Sequence, residues 1–203
     1  MTRDEILSAA RTVLASDGPN GLSMSKVAHL AGVNRGTAYQ HFETREDLIK
    51  ATVAWVSQYL SQSVFGLPGA QSGAYREDDR PIHEFMTSMA DFAVENPELG
   101  RIWLNEILSC DNPSEDIFFK KFVESTQALA ESDSSEDGID AEALSVMILA
   151  GYFLWPVWVS ARAGSKKERK AMSQRMRKEF LRMSLHGTLR VLAFPQLQAL
   201  LEE

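Results

Sequence analysis

Residues 35–41, Arg-Gly-Thr-Ala-Tyr-Gln-His, gather the side chains best suited to reading another molecule. At helical spacing Ala38 and Phe42, four apart, turn to one side, which leaves Arg35, Thr37, Tyr39, Gln40 and His41 on the other. Each of these can hydrogen-bond or stack, and an Arg or Gln can grip a base edge bidentately. This is recognition chemistry rather than bond-making chemistry. Catalytic residue types are dispersed: His29, His41, His83 and His186 are widely separated, no ligand spacing suits a metal, and no Gly-rich phosphate loop follows a strand. Cys110, the single cysteine, has nothing nearby in sequence to depress its pKa, and is expected to be an inert thiol. The expectation is a protein that is not an enzyme and uses no cofactor and no metal.

To present that face, the chain needs short helices joined by a tight turn. No useful stretch alternates with the period of a half-buried strand, whereas apolar residues at 3.6-residue spacing recur throughout, so the fold class is all-α. Residues 3–16 put Ile6, Leu7, Ala10, Val13 and Leu14 on one stripe, and Asp17, Gly18 and Pro19 stop it. A short helix from Met24 to Ala31 is capped by Ser23 and ended by Gly32; Asn34 caps a third running to His41. Val27, Ala28 and Ala31 face inward, small enough for a close crossing. Thr44 with Asp47 resembles a capping box opening a long fourth helix to residue 64. Residues 66–80 have loop chemistry; Pro97 and Pro113 divide 82–131 into three helices; 132–140 is an acidic Ser-rich loop; helices over 141–163 and 166–194 precede a tail from Pro195.

The 203 residues carry 21 Lys plus Arg against 28 Asp plus Glu, a net charge of -7, so no chain-wide positive field advertises nucleic acid or an anionic membrane. The deficit is uneven. Residues 1–50 hold six basic and six acidic groups, and only two of the 18 aromatic residues, so a small-core head at 1–48 and an aromatic-rich body at 49–203 are expected. Exposed N–H groups at helix starts attract phosphate without formal charge, which offsets the neutral head. A lone cysteine and a charged, unhydrophobic start fit a cytoplasmic protein. The nineteen uncharged residues 143–161 reach the length of a membrane span, but they include Ser145, Gly151 and Pro156 and equally suit a buried core helix; no membrane partner is expected.

Three motifs together, Ala31-Gly32-Val33, Gly36-Thr37-Ala38-Tyr39-Gln40-His41-Phe42 and Arg45-Glu46-Asp47-Leu48, resemble the DNA-binding head of the TetR family of bacterial regulators. The resemblance implies a helix-turn-helix that places residues 35–41 in a major groove. Position by position it implies base-edge roles for Ser25, Arg35, Gly36, Thr37 and Gln40, and phosphate-facing roles for Tyr39, His41 and Arg45, with Ser23 and Lys26 joining the phosphate set. More faintly, Arg101-Ile102-Trp103-Leu104-Asn105-Glu106 and Val159-Ser160-Ala161-Arg162 resemble the LuxR and HapR quorum-sensing branch.

So small a head buries too little surface for tight specific binding, which calls for a homodimer on a palindromic operator in double-stranded DNA. The last two helices are expected to form its interface through Leu154, Trp155, Trp158, Met176, Phe180, Met183 and Gly187. Middle-helix aromatics and methionines suit core packing, and also an adaptable cavity. The resemblance implies a small-molecule effector there, expected to meet Phe85, Met89, Phe92, Trp103, Phe118 and Phe122, with Asn105 or Glu106 as polar handles. The helix from Thr44, which runs out of the head, is the expected lever. The competing reading is an adaptor that keeps this fold without binding DNA. The basic stretch 162–182, net +7, reads as a solvated face rather than a second nucleic-acid site.

Overall fold

The computed structural model describes residues 2–66, 80–187 and 193. Its regular elements are helical throughout: α1 (Thr2–Gly21), α2 (Met24–Leu30), α3 (Arg35–His41), α4 (Arg45–Val64), α5 (Arg80–Glu95), α6 (Pro97–Ile107), α7 (Ile117–Ala130), α8 (Ala141–Arg162) and α9 (Lys166–Gly187), with a 3-10 turn at Pro113–Glu115. The expected 66–80 loop falls, from 67 to 79, outside the described residues, as do residues 188–192 and 194 of the expected last helix.

The helix boundaries follow from side-chain chemistry at their ends. Gly18, at φ +69°, breaks α1 where the sequence places its stop, and one further turn follows. Asp116 accepts the Phe119 N–H at 2.8 Å and Asp140 accepts that of Ala143 at 2.9 Å, so each caps the helix it precedes. Asp116 corrects the expectation that Pro113 opens α7. A proline tolerates a first turn, but here that turn is the separate 3-10 segment, and the capping carboxylate three residues on decides where α7 starts. Pro97 does open α6. Ser165 and Glu168 form a reciprocal box at the head of α9, with N···O distances of 2.9 and 3.2 Å.

The chain divides into two compact units that do not follow a single cut: one holds the described residues up to Leu60 with Glu98–Pro113, the other the rest. In the first, Ile6, Leu7, Ala10, Val13 and Leu14 of α1 are buried, as are Val27, Ala28, Ala38, Phe42 and Leu48. Arg101 of α6 donates to the Ala15 carbonyl at 3.0 Å, fastening α6 to α1. In the second, α7 packs mainly on α8, and α5 on both α8 and α9. The rings of Phe65, Phe122 and Phe153 surround Phe118 with centroids 6.0–6.4 Å away, three edge-on or tilted contacts. The Ser145 hydroxyl bonds Thr126 Oγ1 at 3.0 Å across the α7–α8 contact, satisfying two buried polar groups at once.

Among the described residues α8 is the one helix long and apolar enough to cross a membrane. Its buried residues Ala141, Ser145, Leu149, Tyr152, Phe153, Pro156 and Val159 recur at helical spacing, as they do on a core helix.

Candidate nucleic-acid interface and ligand cavity

The head is built around one glycine. Gly32 has φ +69° and follows α2, letting its own N–H bond the His29 carbonyl at 3.2 Å and the Val33 N–H bond that of Ala28 at 3.0 Å. This pair of bonds is a Schellman motif, which ends α2 and reverses the chain within a few residues. Ser23 caps α2 by accepting the Lys26 N–H at 3.2 Å, and Asn34 caps α3 by accepting that of Thr37 at 2.8 Å. Thr44 and Asp47 then form the expected reciprocal box, at 3.1 and 3.0 Å.

With Ala38 and Phe42 buried, Arg35, Gly36, Tyr39, Gln40 and His41 are exposed on the outer face of α3, and Thr37 is half-buried beside them. Ser23, Ser25 and Lys26 are exposed on α2 and its cap. The Arg35 guanidinium lies 5.3 Å from the centre of the Tyr39 ring and donates to its hydroxyl at 3.2 Å, so two candidate contact residues hold each other in place. Lys26 is paired with Asp17, and that ammonium, by hydrogen bond first, holds the Asp17 carboxyl below its ordinary 3.8.

Arg45, expected to face phosphate, is engaged within the head. Its Nε donates to the Leu22 carbonyl at 2.8 Å, Nη2 to the Pro19 carbonyl and Nη1 to Glu46 at 2.9 Å. A guanidinium engaged on all three nitrogens ties the start of α4 to the α1–α2 connection, a positioning task that the sequence pattern does not distinguish from phosphate binding.

The second unit encloses a cavity of about 530 Å³, within the roughly 300–1,000 Å³ range of small-molecule sites. It lies among α5, α7, α8 and α9. Phe85 and Phe122 line it as expected. Met89 and Phe118 are fully buried in packing instead, and Phe92, Met89 and Phe118 are all absent from the lining. Trp103, Asn105 and Glu106 do not line it either, because α6 belongs to the unit of the head. The polar groups of the cavity are Ser125, Thr126, Tyr152, Glu179 and Ser184. Burial pushes the Tyr152 phenol well above its ordinary 10.0, with the Arg177 charge partly opposing.

Gly151 is the signal that could have located this site. A Cβ there would fall 2.8 Å from Phe180 Cζ, so the bare backbone makes room for a ring that stacks on Tyr152 at 4.2 Å and 3°. The expected dimer residues therefore separate into two groups. Phe180 stacks within its own chain, Met176 is buried, and Met183 and Gly187 also line the cavity. Trp155 is turned in as well, its Nε1–H donating to the Met172 carbonyl at 3.1 Å. Leu154 and Trp158, with Val157, are exposed on α8, as is Met183 on α9.

Residues 6–52 match the pattern of the bacterial regulatory proteins of the tetR family. That match falls on α1 to α4, the elements that build the head. Over 95 residues, 47% of this chain, the protein is 26% identical to the HTH-type transcriptional regulator CymR of Pseudomonas putida, and the match spans 45% of that relative, less than half its length. The fold of the head and the helical body recurs in the ketosteroid transcriptional regulator KstR2 of Mycobacterium tuberculosis, with a TM-score of 0.64 at 17% identity over 94% of this chain and 96% of that one. It recurs also in a gamma-butyrolactone receptor, an ArpA-like protein, with a TM-score of 0.64 at 20% identity over 99% and 96%. The fainter resemblance to the LuxR and HapR branch is not borne out by these comparisons.

Proposed function

We propose that this chain is a transcriptional repressor that binds a palindromic operator as a homodimer in the cytoplasm and releases it when a small, mainly apolar effector fills the cavity. The observation that carries the reading is the outer face of α3, where exposed Arg35, Tyr39, Gln40 and His41 stand over buried Ala38 and Phe42 in a helix-turn-helix fixed by Gly32. Arg35 and Gln40 suit base edges; Tyr39, His41, Ser23 and Lys26 suit phosphates, which fix register and make binding salt-dependent. Exposed Leu154, Val157 and Trp158, at i, i+3 and i+4 on one face of α8, support a dimer contact, since such an apolar patch is uncommon on a monomer. The names of two fold relatives, a ketosteroid regulator and a gamma-butyrolactone receptor, are in keeping with a ligand-responsive body.

An effector lowers operator affinity by no more than its differential binding energy between the two states, and α4, continuous from Arg45 to Val64, is the proposed connection. The test begins with selection of bound fragments from random duplex DNA, which is expected to return an inverted repeat. Substituting Thr37→Ala and Tyr39→Ala is then expected to weaken binding by roughly ten- to a hundredfold while sedimentation still reports a folded dimer. Indifference to both substitutions, or a protein that stays monomeric at micromolar concentration, favours the adaptor reading instead.

A further inference from the structure

On the reading that the cavity of the second unit holds an effector, its walls also restrict the charge of that effector. We infer that it admits an uncharged aryl or alkyl molecule bearing a hydrogen-bond donor and turns away carboxylates, with Glu179 as the charge filter. Glu179 is the one charged side chain among the described lining residues, and no Lys, Arg or His stands with it there. It is exposed while lining the cavity, which puts it where the cavity meets solvent. Its Oε2 accepts from Arg182 Nε at 2.9 Å and Nη2 at 2.8 Å, and Arg182 is itself exposed and outside the lining.

The remaining polar groups offer an anion little. The Thr126 hydroxyl donates to the Phe122 carbonyl at 3.0 Å, and that of Tyr152 to the Met86 carbonyl at 3.4 Å, so both donor hydrogens are directed into the protein. Ser125 and Ser184 are neutral and cannot balance a full negative charge. Arg177 acts on the Tyr152 hydroxyl from outside the lining. A carboxylate entering here loses its hydration, gains no cation from the described lining residues and meets a like charge that Arg182 offsets only in part. An ammonium is drawn to Glu179, but it must compete with Arg182 and shed more water than an alcohol or phenol does. The rest of the wall, with thioethers at Met86, Met147, Met176 and Met183 beside aromatic rings at Phe85 and Phe180, adapts readily to an apolar skeleton.

Calorimetry on the full chain with biphenylmethanol and biphenylcarboxylate, which share one skeleton, tests this. The alcohol is expected to bind at least about tenfold more tightly than the carboxylate, and Glu179→Gln to shrink that ratio to about threefold or less with unchanged thermal unfolding. Glu179→Arg is expected to reverse the preference. A carboxylate that binds the unaltered protein as tightly as the alcohol, or a ratio that Glu179→Gln leaves untouched, overturns the inference and leaves the effector reading standing. If neither compound binds, nor naphthylmethanol, while operator binding persists, the effector reading fails and this one with it.

Discussion

On α3 the groups that meet another molecule are polar, nearly consecutive in sequence and turned to solvent, whereas the cavity of the second unit draws apolar side chains from four helices and turns them inward. The head secures its surface from beneath, with small buried residues and side-chain caps at the starts of α2, α3 and α4. The cavity depends on what is left out: a missing Cβ at Gly151 and few polar groups. Each region has one glycine that matters, and for opposite reasons. Gly32 is required for its backbone angle, since nothing lies within 4 Å of where its Cβ would sit; Gly151 is required for space.

The largest effect should come from the interior of the second unit. Phe118→Ala removes a ring held by three aromatic neighbours and is expected to cost about 3–5 kcal/mol in chemical denaturation, abolishing probe binding to the cavity before operator binding. Simultaneous loss of both would show that the contrast between the regions does not extend to their stability. Next, Gly32→Ala should cost about 1–2 kcal/mol and weaken operator binding, because an L-residue is strained at φ +69° however open the space. Gly151→Ala should do the reverse. A better helix former offsets most of the displacement of the Phe180 ring, leaving stability within about 1 kcal/mol while cavity ligands rebind differently in calorimetry. Smallest is an acid effect. The Ser165 hydroxyl, then the backbone N–H groups of Ser165 and Gly164, hold the Glu168 carboxyl below its ordinary 4.5. A depressed folded value means that its contribution is complete above that pH and disappears as pH falls through the lower folded one. Unfolding followed from pH 6 down to about 3 should therefore show slightly less acid sensitivity in Glu168→Gln than in the unaltered chain.

The same contrast explains what could be read from the residues alone. The caps Ser23 and Asn34, the turn at Gly32 and the buried pair Ala38 and Phe42 all lie within a short segment, where local propensity and helical period suffice. The cavity was legible only at Phe85 and Phe122. Asn105 and Glu106 look like polar handles until α6 is found in the unit of the head, a long-range fact with no local signature. Glu179 is hidden in a basic stretch that reads as solvated face, and the stacking of Phe180, placed by pattern at an interface between chains, on Tyr152 of its own chain has no local signature. Arg45 shows the converse limit: the resemblance implies a phosphate-facing role, and nothing local announces the bonds it makes to backbone carbonyls twenty-three and twenty-six positions earlier.

That grip by Arg45 has a mechanical consequence. Two charge-assisted bonds, to the Pro19 and Leu22 carbonyls, bind the first turn of α4 to the end of α1 and the connection to α2, while Glu46 steadies the guanidinium from within α4, so a tug on that turn cannot slide it past its neighbours without first breaking both. The little helical trio and the root of α4 should therefore tilt as one solid piece, keeping the reading edge of α3 unchanged in shape and altering only its aim.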